Sequence, residues 1–165
     1  FENKCIINID LPKTLLHCMA FTHSLFPNAK ILFPHEVKDV ISDEVIEKYD
    51  FIFLTTSQIK YLKNDTVDIY INTGSFCEMS KEQIKIYFDL IQRTAKKDGF
   101  FLNVNRAEKI PIIGKASDYS NTPPVNMFVE YPFNKLNKII IFEICQFFKK
   151  IIQKDVYTRL EKINK

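Results

Sequence analysis

The segment VDIYINTGSFCEMSKEQIKIYFDLIQRTAKKDGFFLNVNR, residues 67–106, limits what this chain can fold into more than any other stretch. VDIYIN has the make-up of a strand. Ser80 and Gln83 stand at the capping-box spacing, in which each side chain satisfies a free amide at the start of a helix. Ile84, Tyr87, Phe88, Ile91 and Ala95 follow as one apolar stripe. Lys96 and Lys97 suit the negative end of that helix, and Gly99 is the expected left-handed stop. FFLNVN, Phe100–Asn105, reads as the next strand.

The same alternation runs upstream. Cys5–Ile9 is a short apolar run suited to a buried strand, and Asp10 and Pro12 then open a helix that Pro27 ends. Leu15, Leu16, Met19 and Ala20 are its expected apolar face. AKILF (Ala29–Phe33) and DFIFL (Asp50–Leu54) read as strands, with a short helix at DEVIEKY between them. Strands alternating with helices predict an α/β fold in one domain, residues 1–165, with a Rossmann-like, doubly wound, mostly parallel sheet. After Arg106, Lys109 to Pro124 is rich in Pro, Ser and Asn and reads as a long surface loop, and NMFVEYPF suggests a strand. IIIFEICQFFKKII fits a helix by the spacing of Ile141, Ile144, Cys145, Phe148, Ile151 and Ile152, while Ile139 and Ile141 also suit a strand.

Composition narrows the function. The net charge is +3 and the lysines are scattered rather than gathered in a stripe, which argues against nucleic acid as the main partner. No apolar run approaches the roughly 20 residues needed to span a bilayer, and no secretory signal peptide is expected. Cys5, Cys18, Cys77 and Cys145 lie far apart in apolar contexts without zinc-type spacing, so buried free thiols in a reducing, cytoplasmic compartment are expected.

Asn72, Thr73, Gly74, Ser75 and Glu78 give the turn after VDIYIN far more polar chemistry than a connector needs. In open parallel sheets, ligands bind beyond the carboxyl ends of the strands. Asp10, Gln58, the Asn72–Glu78 turn, and Asn105 with Arg106 all fall at such ends. Asp10 is either a helix N-cap or an acceptor for a ribose hydroxyl. Gln58 is either a surface residue or a ligand contact. Gly74 either relieves a turn or lets a ligand approach closely. Glu78 is either a catalytic base or an acid favoured by the helix dipole. Ser75 lacks the GxSxG elbow and no His follows His35, which argues against a Ser–His–Asp hydrolase. His17 and His23, six apart on one helix, do not share a metal-binding face, and no metal site is expected.

DIYINTGSFCEMSKEQIKIYFDLIQR followed by GFFLNVNR resembles the sugar O-methyltransferases, S-adenosylmethionine-dependent enzymes linked to bacterial surface-polysaccharide genes. INIDLPKTLL, FIFLTTSQIKYLKNDTVD and NRAEK…VEYPF are similar to their counterparts in that family, so the resemblance spans about residues 5–145. It implies a class I methyltransferase fold ending in an antiparallel hairpin, with strands near Phe128–Tyr131 and Ile139–Cys145 and at Val156–Leu160. It implies S-adenosylmethionine as cofactor, with Asp10 at the ribose, Gln58 near the adenine, and Asn72, Thr73, Gly74, Ser75 and Phe76 flanking the methionine part and the methyl. Glu78, Asn105 and Arg106 would face the sugar or glycan acceptor, with Glu78 as the base that takes the hydroxyl proton. The loop from Lys109 to Pro124 would be a lid. A homo-oligomer is allowed.

The pattern departs from the family at one place. The family opens with a strand and a glycine-rich cofactor loop, but the glycines here are Gly74, Gly99 and Gly114, and no GxGxG exists. The missing strand belongs between those ending at Asp10 and Asn72, and its absence would leave neighbouring backbone groups unpaired. Two readings follow. This chain is the C-terminal part of a longer methyltransferase beginning upstream of Phe1, or it is a non-catalytic α/β domain used for binding or assembly.

Overall fold

The computed structural model describes residues 4–109, 126–145 and 155–165. The chain divides into two compact units, Phe1–Thr66 and Val67–Lys165.

The first unit contains β1 (Ile6–Asp10), α1 (Pro12–Leu25), β2 (Ile31–Leu32), α2 (Asp43–Ile46) and β3 (Phe51–Thr55). They form a parallel sheet of order β1-β3-β2, with Ile6 opposite Phe51 and Asp10 opposite Thr55. Phe51, Ile52, Phe53 and Leu54 are all buried, as a central parallel strand covered on both faces requires. Leu15, Cys18 and Met19 of α1 pack against Phe51 and Phe53. The inward face is therefore i, i+3, i+4. Leu16, expected inside, is 63% exposed, because it lies about 100° round the helix from Leu15. The N-cap is Leu11 rather than Asp10, with Pro12 in the first turn, where its missing N–H costs nothing. AKILF keeps just Ile31–Leu32 as strand.

The second unit contains β4 (Val67–Thr73), α3 (Lys81–Thr94), β5 (Ala95–Arg106), β6 (Glu108–Lys109), β7 (Asn126–Met127), β8 (Lys138–Ile144) and β9 (Val156–Lys162). Its main sheet has the order β4-β5-β9-β8. β4 and β5 are parallel, whereas β9 runs antiparallel to both β5 and β8. The sheet is mixed, which corrects the mostly parallel expectation, and the expected antiparallel pair at the C-terminal end is β8 with β9. The helix-or-strand question at Ile139–Ile144 resolves as strand. Phe128–Tyr131 is not a strand: the extended part is Asn126–Met127, and Phe128–Glu130 is a single 3-10 turn. Most of the expected lid (110–124, with Gly114) and the rest of the helical reading (146–152, with Phe147 and Phe148) lie outside the described residues.

The capping box at the start of α3 is present. Gln83 N donates to Ser80 Oγ at 3.3 Å and Ser80 N donates to Gln83 Oε1 at 3.1 Å. Ile84, Phe88 and Ile91 turn inward onto Phe76, Phe101, Phe128 and Tyr131. Ring centroids in this cluster lie 5.4 Å (Phe76–Phe88) and 5.5 Å (Phe88–Phe101) apart, the offset and edge geometry that aromatic quadrupoles favour. At the other end Ala95 is already extended, and the left-handed residue is Asp98 (φ 65) rather than Gly99. Gly99 answers a different need: a Cβ there would stand 2.8 Å from the Asp68 carbonyl oxygen. Glu161 of β9 is buried yet paired, accepting from Arg159 Nε at 2.7 Å and Asn137 Nδ2 at 3.0 Å.

β1 and β4 each stand at the edge of their own sheet, and no strand lies beyond either among the described residues. No helix among the described residues is long and apolar enough to cross a membrane. The four cysteines are free thiols; Cys77 is buried and the others are half-buried.

Candidate functional site

In the second unit the candidate residues gather where β4 and β5 end side by side. β4 delivers Asn72 and Thr73, and Gly74 then reverses the chain at φ 71 while its N–H donates to the Val104 carbonyl at 2.8 Å. That φ is what makes glycine the fitting residue, and beyond its chain neighbours no atom of the described residues lies within 4 Å of where a Cβ would be. Phe76–Glu78 forms a 3-10 turn that leads into α3.

A ladder of asparagines ties this turn to β5. Asn105 Nδ2 donates to Asn72 Oδ1 at 2.8 Å and also to Asn103 Oδ1, while Asn105 Oδ1 accepts from Cys77 N at 3.2 Å. Asn72 Nδ2 in turn donates to Ser75 Oγ. Asn103 and Asn105 are both buried, so these bonds are formed out of water, where an unmet partner is costly. Asn105, expected to face an acceptor, is thus an interior strut. The Phe76 ring also points inward, into the aromatic core; what it offers a ligand is backbone.

Glu78 is the charged centre of the site. Arg106 Nη2 lies 2.8 Å from Glu78 Oε1, and Lys109 Nζ bonds Oε2. The Lys109 ammonium, with help from Arg106, holds the Glu78 carboxyl below its usual range. Two cations on one carboxylate leave a local surplus of one positive charge. Cys77 donates its thiol to the Gly74 carbonyl at 3.2 Å, and burial pushes its pKa up. No group of His, Cys, Asp and Glu that would hold a metal occurs among the described residues.

Three residues of this region escaped the sequence reading. Lys109 is one, since a lysine at the edge of a loop gives no signal of pairing with a glutamate so distant in the chain. The others are Asn126 and Tyr131. Asn126 is buried at 2% exposure and donates Nδ2 to the Met79 carbonyl, but its Oδ1 has no partner among the described residues. Tyr131 is 6% exposed, and its hydroxyl has no partner among them either. Burial, and then the nearby Cys77 and Glu78, raise the Tyr131 pKa, so the hydroxyl keeps its proton.

In the first unit, Asp10 ends β1 half-buried, its Oδ1 accepting from Leu11 N at 2.7 Å, and makes no ion pair among the described residues. Gln58 is engaged inside its own unit: Nε2 donates one hydrogen to the Pro34 carbonyl at 2.7 Å and Oε1 accepts from Thr55 N at 3.0 Å. It pins a 3-10 turn after β3.

No family model matches the chain. No curated protein matches it either. Solved structures do. One, "Conversion of a Disulfide Bond into a Thioacetal Group during Echinomycin Biosynthesis", aligns over 97% of this chain and 75% of its own, with a TM-score of 0.50 and 8% identity. PH0226 from Pyrococcus horikoshii OT3 aligns over 93% and 92%, with a TM-score of 0.45 and 12% identity. "Crystal structure of a putative type 11 methyltransferase from Sulfolobus solfataricus" aligns over 98% and 85%, with a TM-score of 0.40 and 16% identity. The first of these is a likeness of fold, an α/β chain with a mixed sheet.

Proposed function

We propose that this chain takes part in S-adenosylmethionine-dependent methyl transfer to a hydroxyl group, with a sugar of a surface polysaccharide as acceptor. The observation that carries this reading is the polar turn Asn72–Glu78, set at the carboxyl end of a parallel strand beside Asn105 and Arg106, with no described atom crowding Gly74. That is where open α/β sheets bind small molecules. The sequence resemblance names the class of ligand.

Each unit, taken by itself, carries one feature suited to such a ligand. In the first, Asp10 keeps a carboxylate without an ion pair among the described residues, suited to accept from vicinal hydroxyls. In the second, Thr73, Gly74 and Ser75 offer backbone at a turn where no described atom crowds Gly74. Bound S-adenosylmethionine supplies an electrophilic methyl group. The chain's own part is to hold the acceptor hydroxyl in line and to manage its proton. Glu78 is the candidate proton acceptor. Its ion pairs keep it ionised at neutral pH and also weaken it as a base, so alignment carries most of the rate, worth up to about 7–11 kcal/mol in favourable cases.

A second reading, a non-catalytic binding or assembly domain, is favoured by the way Gln58, Asn105 and Phe76 are used inside their own units. Incubation with methyl-labelled S-adenosylmethionine and a panel of bacterial polysaccharides and monosaccharides separates the two. Label in the sugar supports methyl transfer. Absence of label across the panel, with the cofactor bound, supports the binding domain.

A further inference from the structure

Native proteins seldom leave buried polar atoms unpaired, and each exception calls for an account. Three occur among the described residues: Asn103 Nδ2, Asn126 Oδ1 and the Tyr131 hydroxyl, and the last two flank the same short segment. Asn126 is anchored to Met79 through Nδ2, which fixes its amide and leaves Oδ1 as a free acceptor. Tyr131 packs edge-on against Phe76, centroids 6.2 Å apart, and its free hydroxyl sits in the field of Cys77 and Glu78. Asn126 also lies opposite Lys109 in the antiparallel β6–β7 pair, and Lys109 closes on Glu78 beside Arg106.

We propose that Asn126 and Tyr131 form a subsite for the hydroxyl groups of an anionic sugar, with Arg106 and Lys109 taking its negative charge. This deepens the sugar-acceptor reading and rests on it. The chemistry is complementary. A sugar hydroxyl is both donor and acceptor, so one can donate to Asn126 Oδ1 while its neighbour accepts from the Tyr131 O–H. The Tyr131 hydroxyl stays protonated because burial and the Glu78 charge disfavour the phenolate. The surplus positive charge at Glu78, Arg106 and Lys109 selects a carboxylated or phosphorylated sugar over a neutral one. Among the described residues, Glu130 is already claimed by Lys81 at 2.9 Å, and Glu108 is exposed.

The test is a titration of the 15N-labelled protein with D-glucuronate, followed through side-chain amide resonances, with D-glucose as the neutral comparison. No methyl donor is present, so binding is read apart from transfer. Saturable movement of the Asn126 amide, with glucuronate at least threefold tighter than glucose, is expected. Tyr131→Phe should weaken glucuronate at least fivefold while raising the Tm, because it removes a hydroxyl unpaired in the free protein. A Tyr131→Phe protein with unchanged affinity, or an Asn126 resonance that glucuronate does not move, overturns the subsite. Methyl transfer to a neutral sugar with the Asn126 resonance unmoved overturns this subsite alone. Glucuronate binding without methyl transfer to any acceptor leaves the subsite standing and removes the methyltransferase reading.

Discussion

Asn105 donates its amide to Asn72 Oδ1 at 2.8 Å and accepts the Cys77 amide at 3.2 Å, so one buried side chain joins the last residues of two parallel strands to the turn between β4 and α3. The turn's shape depends on a bond made across the sheet.

Asn105→Ala breaks that joint. It strands Asn72 Oδ1, Asn103 Oδ1 and the Cys77 amide at once, and an unmet buried polar group costs about 1–3 kcal/mol. Urea unfolding should show a loss of at least about 2 kcal/mol, and the turn should lose ligand affinity with it. A neutral effect on stability would mean that the asparagine ladder is not formed in solution.

Glu78→Gln tests both the base and the ion pairs. The folded pKa of Glu78 lies below its ordinary 4.5, so its pairing stabilises the protein above that value and is lost as pH falls through the lower folded value. The pair with Arg106 is partly solvated, and such pairs contribute about 0–1 kcal/mol. The variant should therefore differ slightly in stability at pH 7 and converge with the parent in acid. Turnover should fall while ligand binding remains. Full turnover would remove Glu78 as the proton acceptor.

Cys5 is a thiol of low expected reactivity. Burial, and then the Asp50 charge, push its pKa up from 9.0 to about 11. At pH 8 its thiolate fraction drops roughly a hundredfold, and iodoacetamide should label it correspondingly more slowly than an unfolded control. Equal rates by mass spectrometry would contradict that burial.

Asp10→Ala should weaken cofactor binding with little change in Tm. Asp10 is not the N-cap of α1, and the hydrogen bond shown for its carboxylate is to the adjacent Leu11 amide. A large fall in Tm with unchanged affinity would assign it a structural role instead.

Much of this was legible in the sequence because it is local. The Ser80–Gln83 box and the stripe of Ile84, Phe88 and Ile91 specify α3 within a few residues, and both are found. Gly74 signals its turn for the same reason, a backbone angle that glycine reaches without strain. What failed depends on partners distant in the chain. Gly99 reads in the sequence as a helix stop, but its need is set by Asp68 in a neighbouring strand. The mixed sheet follows from β9 settling between β5 and β8, and no periodicity announces such an order. At the site, polar residues at the strand ends were recognisable by type, yet composition does not tell which are spent inside, as Asn105 and Gln58 are. Tyr131 and Asn126 gave no signal, because being unpaired is a property of the folded surroundings alone.

The proposed function requires that this protein bind the methyl donor. The deciding measurement is calorimetric titration of this protein with S-adenosylhomocysteine, the product form of that donor. Saturable binding in the micromolar range, weakened by Asp10→Ala, is the result predicted. No measurable heat or competition at millimolar ligand would contradict the claim and leave a binding or assembly domain in its place.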